Sequence, residues 1–229
     1  MTALLSINCF HPLFSTQHFR VIDAEQVNIR ERDGALKAKL SDAAGFRHGE
    51  RAKNGGSRFS GLMFYNEEGE ETGGLIYQGK AIPGGQDSDV SLTMDQYRQD
   101  QNVYLNHTEH VDDKGRLISD GLQVNSRPDW TKIKQEYGIY AQIDKLPPDQ
   151  QEALKREALK DGKIATRRLF FGVRRGDKGK LPYDDAGVFV KNRFGEDAIK
   201  LYVDYNNKPH LEFYDQQGKL IACELKIEK

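Results

Sequence analysis

The sequence predicts a mainly β protein, an antiparallel barrel or sandwich built from hairpins, with a two-helix insertion. Two observations support this fold class. Segments rich in β-branched and aromatic residues recur about every ten residues with turn-forming residues between them. In addition, one pattern of apolar strand, acidic or amide residue, glycine and second strand occurs three times, at Val27–Leu40, Leu62–Tyr77 and Leu211–Leu225.

Composition agrees with a single domain made of strands and tight turns. The chain has 229 residues, 22 glycines against 7 prolines, and 10% aromatic residues. Glycine supplies the turn conformations that hairpins need, and aromatic residues favour strands. We predict an irregular N-terminal arm over residues 1–20 and one β-rich domain over residues 21–229, with the helical insertion at about residues 129–161.

The helical insertion is predicted from a change of period after Arg127. Apolar residues then follow helical spacing, at Trp130, Ile133, Tyr137 and Tyr140. A second helix is predicted over Asp149–Lys160, with Pro148 in its first turn and Gly162 just past its end.

Charge and cysteine usage limit the function classes. The formal net charge is −1, whereas nucleic-acid binders usually carry a basic excess, so we expect no nucleic-acid partner. No apolar run approaches the roughly 20 residues of a membrane span, and the N-terminus lacks the basic region of a signal peptide. Cys9 and Cys223 are predicted to be free thiols, although they could form a disulfide if the termini meet. We therefore expect a cytoplasmic protein.

The first candidate site is the polar segment Asp95–Gln101. Asp95 and Asp100 offer carboxylates for acid–base work, Tyr97 offers a phenol, and Arg98 offers a guanidinium that can hold an anion. The alternative interpretation is a structural turn in which the two carboxylates cap backbone N–H groups.

Four further polar residues are candidates for binding a ligand. Arg58 and Asn66 belong to the surroundings and turn of the second hairpin, Gln101 ends the polar segment, and Arg127 precedes the helical insertion. The alternative for such hairpin residues is that they only make the turns soluble.

Three other patterns have simpler interpretations that we favour. His107–His110 could ligate a metal but is predicted to be a hydrated hairpin turn. Gly172–Lys180 lacks the spacing of a phosphate-binding loop and is predicted to be a basic turn. Strand aromatics could line a ligand cavity but more often form plain core; they are Phe64, Tyr65, Tyr77, Tyr104, Phe170, Phe171, Phe189, Tyr202 and Phe213.

Three segments of the sequence resemble a family of bacterial proteins. These segments are Ile22–Gly34, Gly61–Tyr77 and Ser91–Gln101. Together with the C-terminal hairpins, they extend the resemblance from about Val21 to the C-terminus. The family is uncharacterised, so the resemblance implies no activity and no catalytic residue. Its members often carry an N-terminal membrane anchor, a pattern from which this chain departs.

Two function classes remain open. The first, which we favour, is a non-catalytic domain that binds a small molecule or a protein. The second is a cofactor-independent enzyme of isomerase, cyclase or hydrolase type with an acid–base pocket. We expect no cofactor and no metal because the sequence contains no nucleophile elbow, zinc knuckle or dinucleotide fingerprint. The oligomeric state is left open.

Overall fold

A computed structural model describes residues 18–46, 59–129, 133–178 and 182–223 of the chain. Two helices and twelve strands lie in these ranges. The helices are α1 Ile133–Ile143 and α2 Pro148–Lys160. The strands are β1 Gln26–Arg30, β2 Leu36–Ser41, β3 Ser60–Tyr65, β4 Glu71–Ile82, β5 Gly85–Asp95, β6 Gln101–Asp112, β7 Gly115–Ser126, β8 Thr166–Gly176, β9 Tyr183–Lys191, β10 Asp197–Val203, β11 Pro209–Tyr214 and β12 Leu220–Cys223.

All twelve strands belong to one antiparallel sheet in which each strand pairs with its neighbours in sequence. The predicted mainly β, antiparallel class is therefore confirmed. The sheet is open, because β1 and β12 stand at its two edges and do not pair with each other. Neither the barrel nor the sandwich is confirmed.

Local turn chemistry explains why the hairpins form where they do. Four five-residue turns begin with an Asn or Asp whose Oδ1 accepts the N–H groups two and four residues later, namely at Asn66, Asn192, Asp204 and Asp215. The fourth residue of each turn has a positive φ, and three of the four are glycine. The Asx side chain and the residue of positive φ, usually glycine, thus determine where the two flanking strands end.

The helices interrupt the sheet without changing its strand order. They lie in the connection between β7 and β8, and these two strands pair directly from Leu117 with Gly176 to Ser126 with Thr166. The predicted insertion is confirmed, with Pro148 as the first residue of α2 and Gly162 at φ +63° beyond its end. Ala158 of α2 and Ile164, which follows α2, are almost fully buried, and Leu159 of α2 lines the same cavity as Gln123, so α2 lies over the sheet.

Two segments predicted to be turns contain strand residues. Gly172–Gly176, the first part of the predicted turn Gly172–Lys180, belongs to β8. His107–His110 lies inside β6 and not in a turn. Both segments have polar residues on successive positions, which hides the two-residue alternation by which strands are recognised.

The sheet has two chemically different faces. One face, called here the apolar face, carries Leu92, Leu105 and Leu122 directly opposite one another. The other, the polar face, carries Thr93, Tyr104 and Gln123 in the neighbouring register positions. Side chains of the polar face are more buried, and the helices lie on this side.

Three glycines form a run on the polar face. Gly121 pairs with Gly172, and Gly172 pairs with Gly187. A Cβ atom at any of the three would collide with a carbonyl oxygen of a neighbouring strand. The run therefore allows β7, β8, β9 and β10 to approach one another in a way that larger residues would prevent.

Candidate functional site

The turn between β5 and β6 differs from the other hairpin turns. Gln96 occupies the position of the Asx residue, and the positive φ of +54° falls on Arg98, one position earlier than in the other turns. A left-handed conformation is uncommon for a residue other than glycine. The segment selected from the sequence is therefore also the hairpin turn with an unusual backbone.

The outer side chains of this turn contact the neighbouring β3–β4 turn. The Tyr97 hydroxyl donates to Glu68 Oε1 over 3.1 Å, and Arg98 Nε donates to Glu70 Oε2 over 3.1 Å. Asn66 serves as the cap of its own turn, accepting two backbone N–H groups. The structure thus brings Tyr97, Arg98 and Asn66 to adjacent turns, where all three make structural contacts.

The inner side chains of the turn lie next to the start of α1. Arg127 Nε donates to the carbonyl oxygen of Gln101 over 2.9 Å. Its two terminal nitrogens lie 3.5 Å from Asp100 Oδ2 and 3.6 Å from Glu136 Oε1. Arg127 is therefore the centre of a partly buried charge cluster that joins the turn to the helical insertion. Arg58 lies outside the described residues.

Glu136 is a member of this cluster that the sequence did not indicate. Its residue is 1% exposed, and its Oε1 accepts the backbone N–H of Ala165 over 2.9 Å. A buried carboxylate needs such partners, because desolvation without compensation is costly. The one available signal was an acidic residue within an otherwise apolar helical stripe, next to Ile133, Tyr137 and Tyr140.

Asp95 is the most perturbed carboxyl group at this site. Burial raises the pKa of Asp95 to about 7, with further increases from Glu71 and Asp100 and a smaller opposing effect of Arg127. Its buried Oδ1 has no hydrogen-bond partner among the described residues, and neither has Gln99 Oε1 or Asn102 Oδ1 nearby. Buried polar atoms are normally paired, so three in one turn mark unused hydrogen-bonding capacity.

We expect the stability advantage of the Asp95→Asn variant over the wild type to be clearly larger at pH 8 than at pH 5. The unfolded carboxyl loses its proton near pH 4, whereas the folded one keeps it to about pH 7. Ionisation therefore favours the unfolded state as the pH rises from 4 to 7, and the loss is complete above pH 7. Because the group is only partly buried, the gain at pH 8 is about 1–2 kcal/mol, measured by urea unfolding.

The Asp112→Asn variant is the matched control for this measurement. A hydrogen bond from Lys178 holds the pKa of Asp112 at about 2. That carboxylate is charged at both pH values, so its loss should destabilise the protein equally at pH 5 and pH 8. An Asp95→Asn variant whose stability relative to wild type is the same at both values would contradict the assignment.

The clearest concave site of the described residues is on the polar face, and we call it the polar cleft. It has two adjacent lobes of about 480 and 440 Å³ that are both lined by Gln123 and Arg167. Hydroxyl and amide groups of β5, β6 and β7 line the first lobe, namely Ser91, Tyr104, Asn106, Thr108 and Ser119. Helix α2 and the β9–β10 turn close the second lobe, with Lys155, Arg156, Leu159, Lys191 and Glu196.

Arg174 is the distinctive cation of the first lobe. Its guanidinium carbon lies 3.9 Å from the centre of the Phe189 ring and 5.6 Å from that of Phe170. Its buried Nε has no partner in the described structure, and its closest ion pair, with Asp185, is long at 3.9 Å. Burial lowers the pKa of Arg174. An anion in the cleft would therefore offset part of the desolvation of this group.

Of the site residues predicted from the sequence, none that the structure describes lines either lobe of the polar cleft. Most of these residues gather at the edge of the sheet where β5 and β7 end and β6 begins, and they are Asp95, Tyr97, Arg98, Asp100, Gln101 and Arg127. The first lobe lies over the middle of these strands, and the second lobe extends towards that edge as far as Asn125 and Thr166. The aromatic set divides between the faces, and of its members Tyr104 lines the cleft while Phe170 and Phe189 contact Arg174. Arg174 was not selected from the sequence because it is one of several basic residues in a segment that was predicted to be a turn.

The histidines of β6 do not form a metal site. His107 and His110 are on opposite faces of the strand, where His107 contacts Asp120 and His110 contacts Asp112 and Asp87. In the part of the chain that the structure describes, no group of three or more His, Cys, Asp or Glu residues is arranged to hold a metal ion. Among the described residues, no helix is long and apolar enough to cross a membrane.

No protein-family model, no curated protein and no solved structure matches this chain. The geometry of the site is therefore the basis for a functional proposal.

Proposed function

We propose that this protein is a non-catalytic binding domain that holds a small, hydroxylated anion in the polar cleft. The observation that carries the proposal is Arg174, a partly buried guanidinium stacked on Phe189 with an unpaired Nε in a cleft of hydroxyl and amide groups. A lobe of about 480 Å³ is within the range of small-molecule sites.

The lining of the cleft supports this class of ligand. A guanidinium recognises carboxylate or phosphate through two parallel N–H groups. Ser91, Asn106, Thr108 and Ser119 offer donors and acceptors that suit the hydroxyl groups of a sugar or polyol. A sugar acid or a sugar phosphate combines both features. Arg167, where the lobes meet, adds a second guanidinium beside Arg174, while Asp89 contributes one carboxylate to the first lobe.

Titration calorimetry with glucuronate, glucose and inorganic phosphate tests the proposal. We expect saturable binding of glucuronate or phosphate and at least tenfold weaker binding of glucose, because glucose lacks the anionic group. The Arg174→Met variant should lose at least tenfold in affinity for the anion. The Arg116→Met variant is the control, since Arg116 belongs to the same sheet but pairs with Asp177 outside the cleft.

Two results would oppose this proposal. One is the absence of saturable binding of both anions to the wild-type protein. The other is an equal loss of affinity in the Arg174→Met and Arg116→Met variants, which would show that only overall charge matters.

The second candidate is a cofactor-independent enzyme that uses Asp95. The raised pKa of about 7 favours it, because an acid–base group works best when its pKa is near the working pH. Against it, Tyr97 and Arg98 are tied to Glu68 and Glu70 and are not directed at a shared reaction centre. Turnover of a panel of chromogenic esters and glycosides that disappears in the Asp95→Asn variant would favour the enzyme over the binding domain.

A further inference from the structure

The apolar face carries an unbroken row of apolar side chains across eleven strands. Each member lies directly opposite the next on the neighbouring strand. The row, called here the central row, is Val27, Leu40, Leu62, Leu75, Leu92, Leu105, Leu122, Phe171, Val188, Leu201 and Leu211. No polar residue interrupts it.

A second row runs beside the central row, two residues along each strand. Its members from β3 to β11 are Phe64, Gly73, Met94, Val103, Val124, Leu169, Val190, Ile199 and Phe213. On the other side, the adjacent row contains Val90, His107, Asp120, Val173 and Ala186, in which His107 and Asp120 pair at 2.5 Å. One polar pair on β6 and β7 therefore interrupts an otherwise apolar border.

Much of this apolar surface is exposed to solvent. Phe171 is 57% exposed, Leu105 is 55% exposed and Leu201 is 51% exposed. The helical insertion does not cover them, because it packs on the polar face beside Gln123 and Thr166. Single exposed apolar residues are ordinary, but a contiguous patch of this size marks an interaction surface.

The dimensions of the patch match what a stable dimer requires. Eleven strands about 4.8 Å apart make it about 50 Å long, and two rows about 7 Å apart make it about 14 Å wide. Each copy would thus cover roughly 700 Å² of sheet, close to the approximately 800 Å² that each partner buries in a standard interface.

A second copy of the chain fits this surface better than an unrelated partner. Two sheets pack face to face when both present apolar alternate residues over a similar width, with strand directions about 30° apart. A two-fold axis supplies such a partner automatically, since the same rows occur on both copies. The formal net charge of −1 per chain gives little repulsion between copies.

We propose that the apolar face packs against the same face of a second copy of this chain, so that two open sheets form a two-fold sandwich in solution. The polar clefts then lie on the two outer surfaces of the dimer, accessible to ligand. Ligand binding and dimerisation use opposite faces of the sheet, so either proposal can be correct when the other is wrong.

Sedimentation equilibrium of the full chain over a range of about 1–100 µM tests this proposal. We expect a mass of twice 26.0 kDa for the wild type. The Leu105→Lys variant should weaken self-association at least tenfold, because a lysine in the middle of the central row cannot be buried unpaired. The Tyr205→Lys variant is the control, since Tyr205 is 59% exposed but lies in the β10–β11 turn, away from both rows.

Circular dichroism checks that each variant is folded, which is expected because each side chain is more than half exposed. If the Leu105→Lys variant fails to fold, the mass of the wild-type protein at 100 µM still decides between dimer and monomer. A monomeric wild type at that concentration, or a dimer equally weakened by Tyr205→Lys, overturns the proposal. A wild-type protein that associates through this face with a different protein, and does not form the dimer, also overturns the proposal.

Discussion

The Arg127→Met variant should lose about 3–5 kcal/mol of unfolding free energy, as expected when one member of a buried ion pair is removed. The Arg127 side chain is 10% exposed and lies between Asp100 and Glu136. Methionine fills a similar volume but leaves Glu136, which is almost fully buried, without its cation. Urea unfolding followed by circular dichroism measures the loss.

Two further variants separate the effect of burial from the effect of charge on the free energy of unfolding. The Arg98→Met variant removes an exposed ion pair with Glu70 and should cost less than about 1 kcal/mol. The Glu136→Gln variant keeps an oxygen that can accept the Ala165 N–H, so it should cost less than Arg127→Met. If Arg127→Met costs no more than Arg98→Met, the cluster does not join the helical insertion to the sheet.

The Gly172→Ala variant should destabilise the protein by about 3 kcal/mol, the upper part of the range for overpacking. A Cβ atom at Gly172 would collide with the carbonyl oxygen of Asp120 and lie 2.7 Å from the Cα of Gly121. Backbone atoms of a paired strand cannot move aside as a flexible side chain can. The strands would have to separate in the middle of the sheet, next to the polar cleft.

The same substitution at Gly138 should have the opposite sign. Gly138 is in α1, and a Cβ atom there would meet nothing within 4 Å. Alanine has the higher helix propensity, so Gly138→Ala should stabilise the protein by about 1 kcal/mol. Thermal and urea unfolding of both variants, measured side by side, checks the contrast. Equal effects at the two positions would mean that close strand approach at Gly172 is not what requires glycine.

Elements with local causes were predictable from the sequence. The turns at Asp204 and Asp215 form because the Asx side chain and the following backbone satisfy one another within five residues. The end of α2 at Lys160 was visible because Gly162 supplies a left-handed residue. The strand β6 was partly missed at His107–His110, since its polar residues serve both faces and give no alternation.

The candidate site was predicted only in part, and for a related reason. Asp95 and Asp100 were found because they crowd one short turn, and Arg127 because it precedes a change of period. Glu136 was missed because its partner Ala165 is 29 residues away. Arg174 gained its significance from Phe189 and from the hydroxyl groups of β5 and β6, which the sheet brings together.

By itself, the sequence determined the class of the fold, the hairpin turns and the position of the helical insertion, because short-range hydrogen bonds and backbone preferences specify them. The tertiary structure decided the strand register, and with it which residues share a face. A shift of one residue in a strand exchanges its two faces. Only the register therefore aligns the leucines of the central row on one side and places Arg174 above the polar cleft on the other.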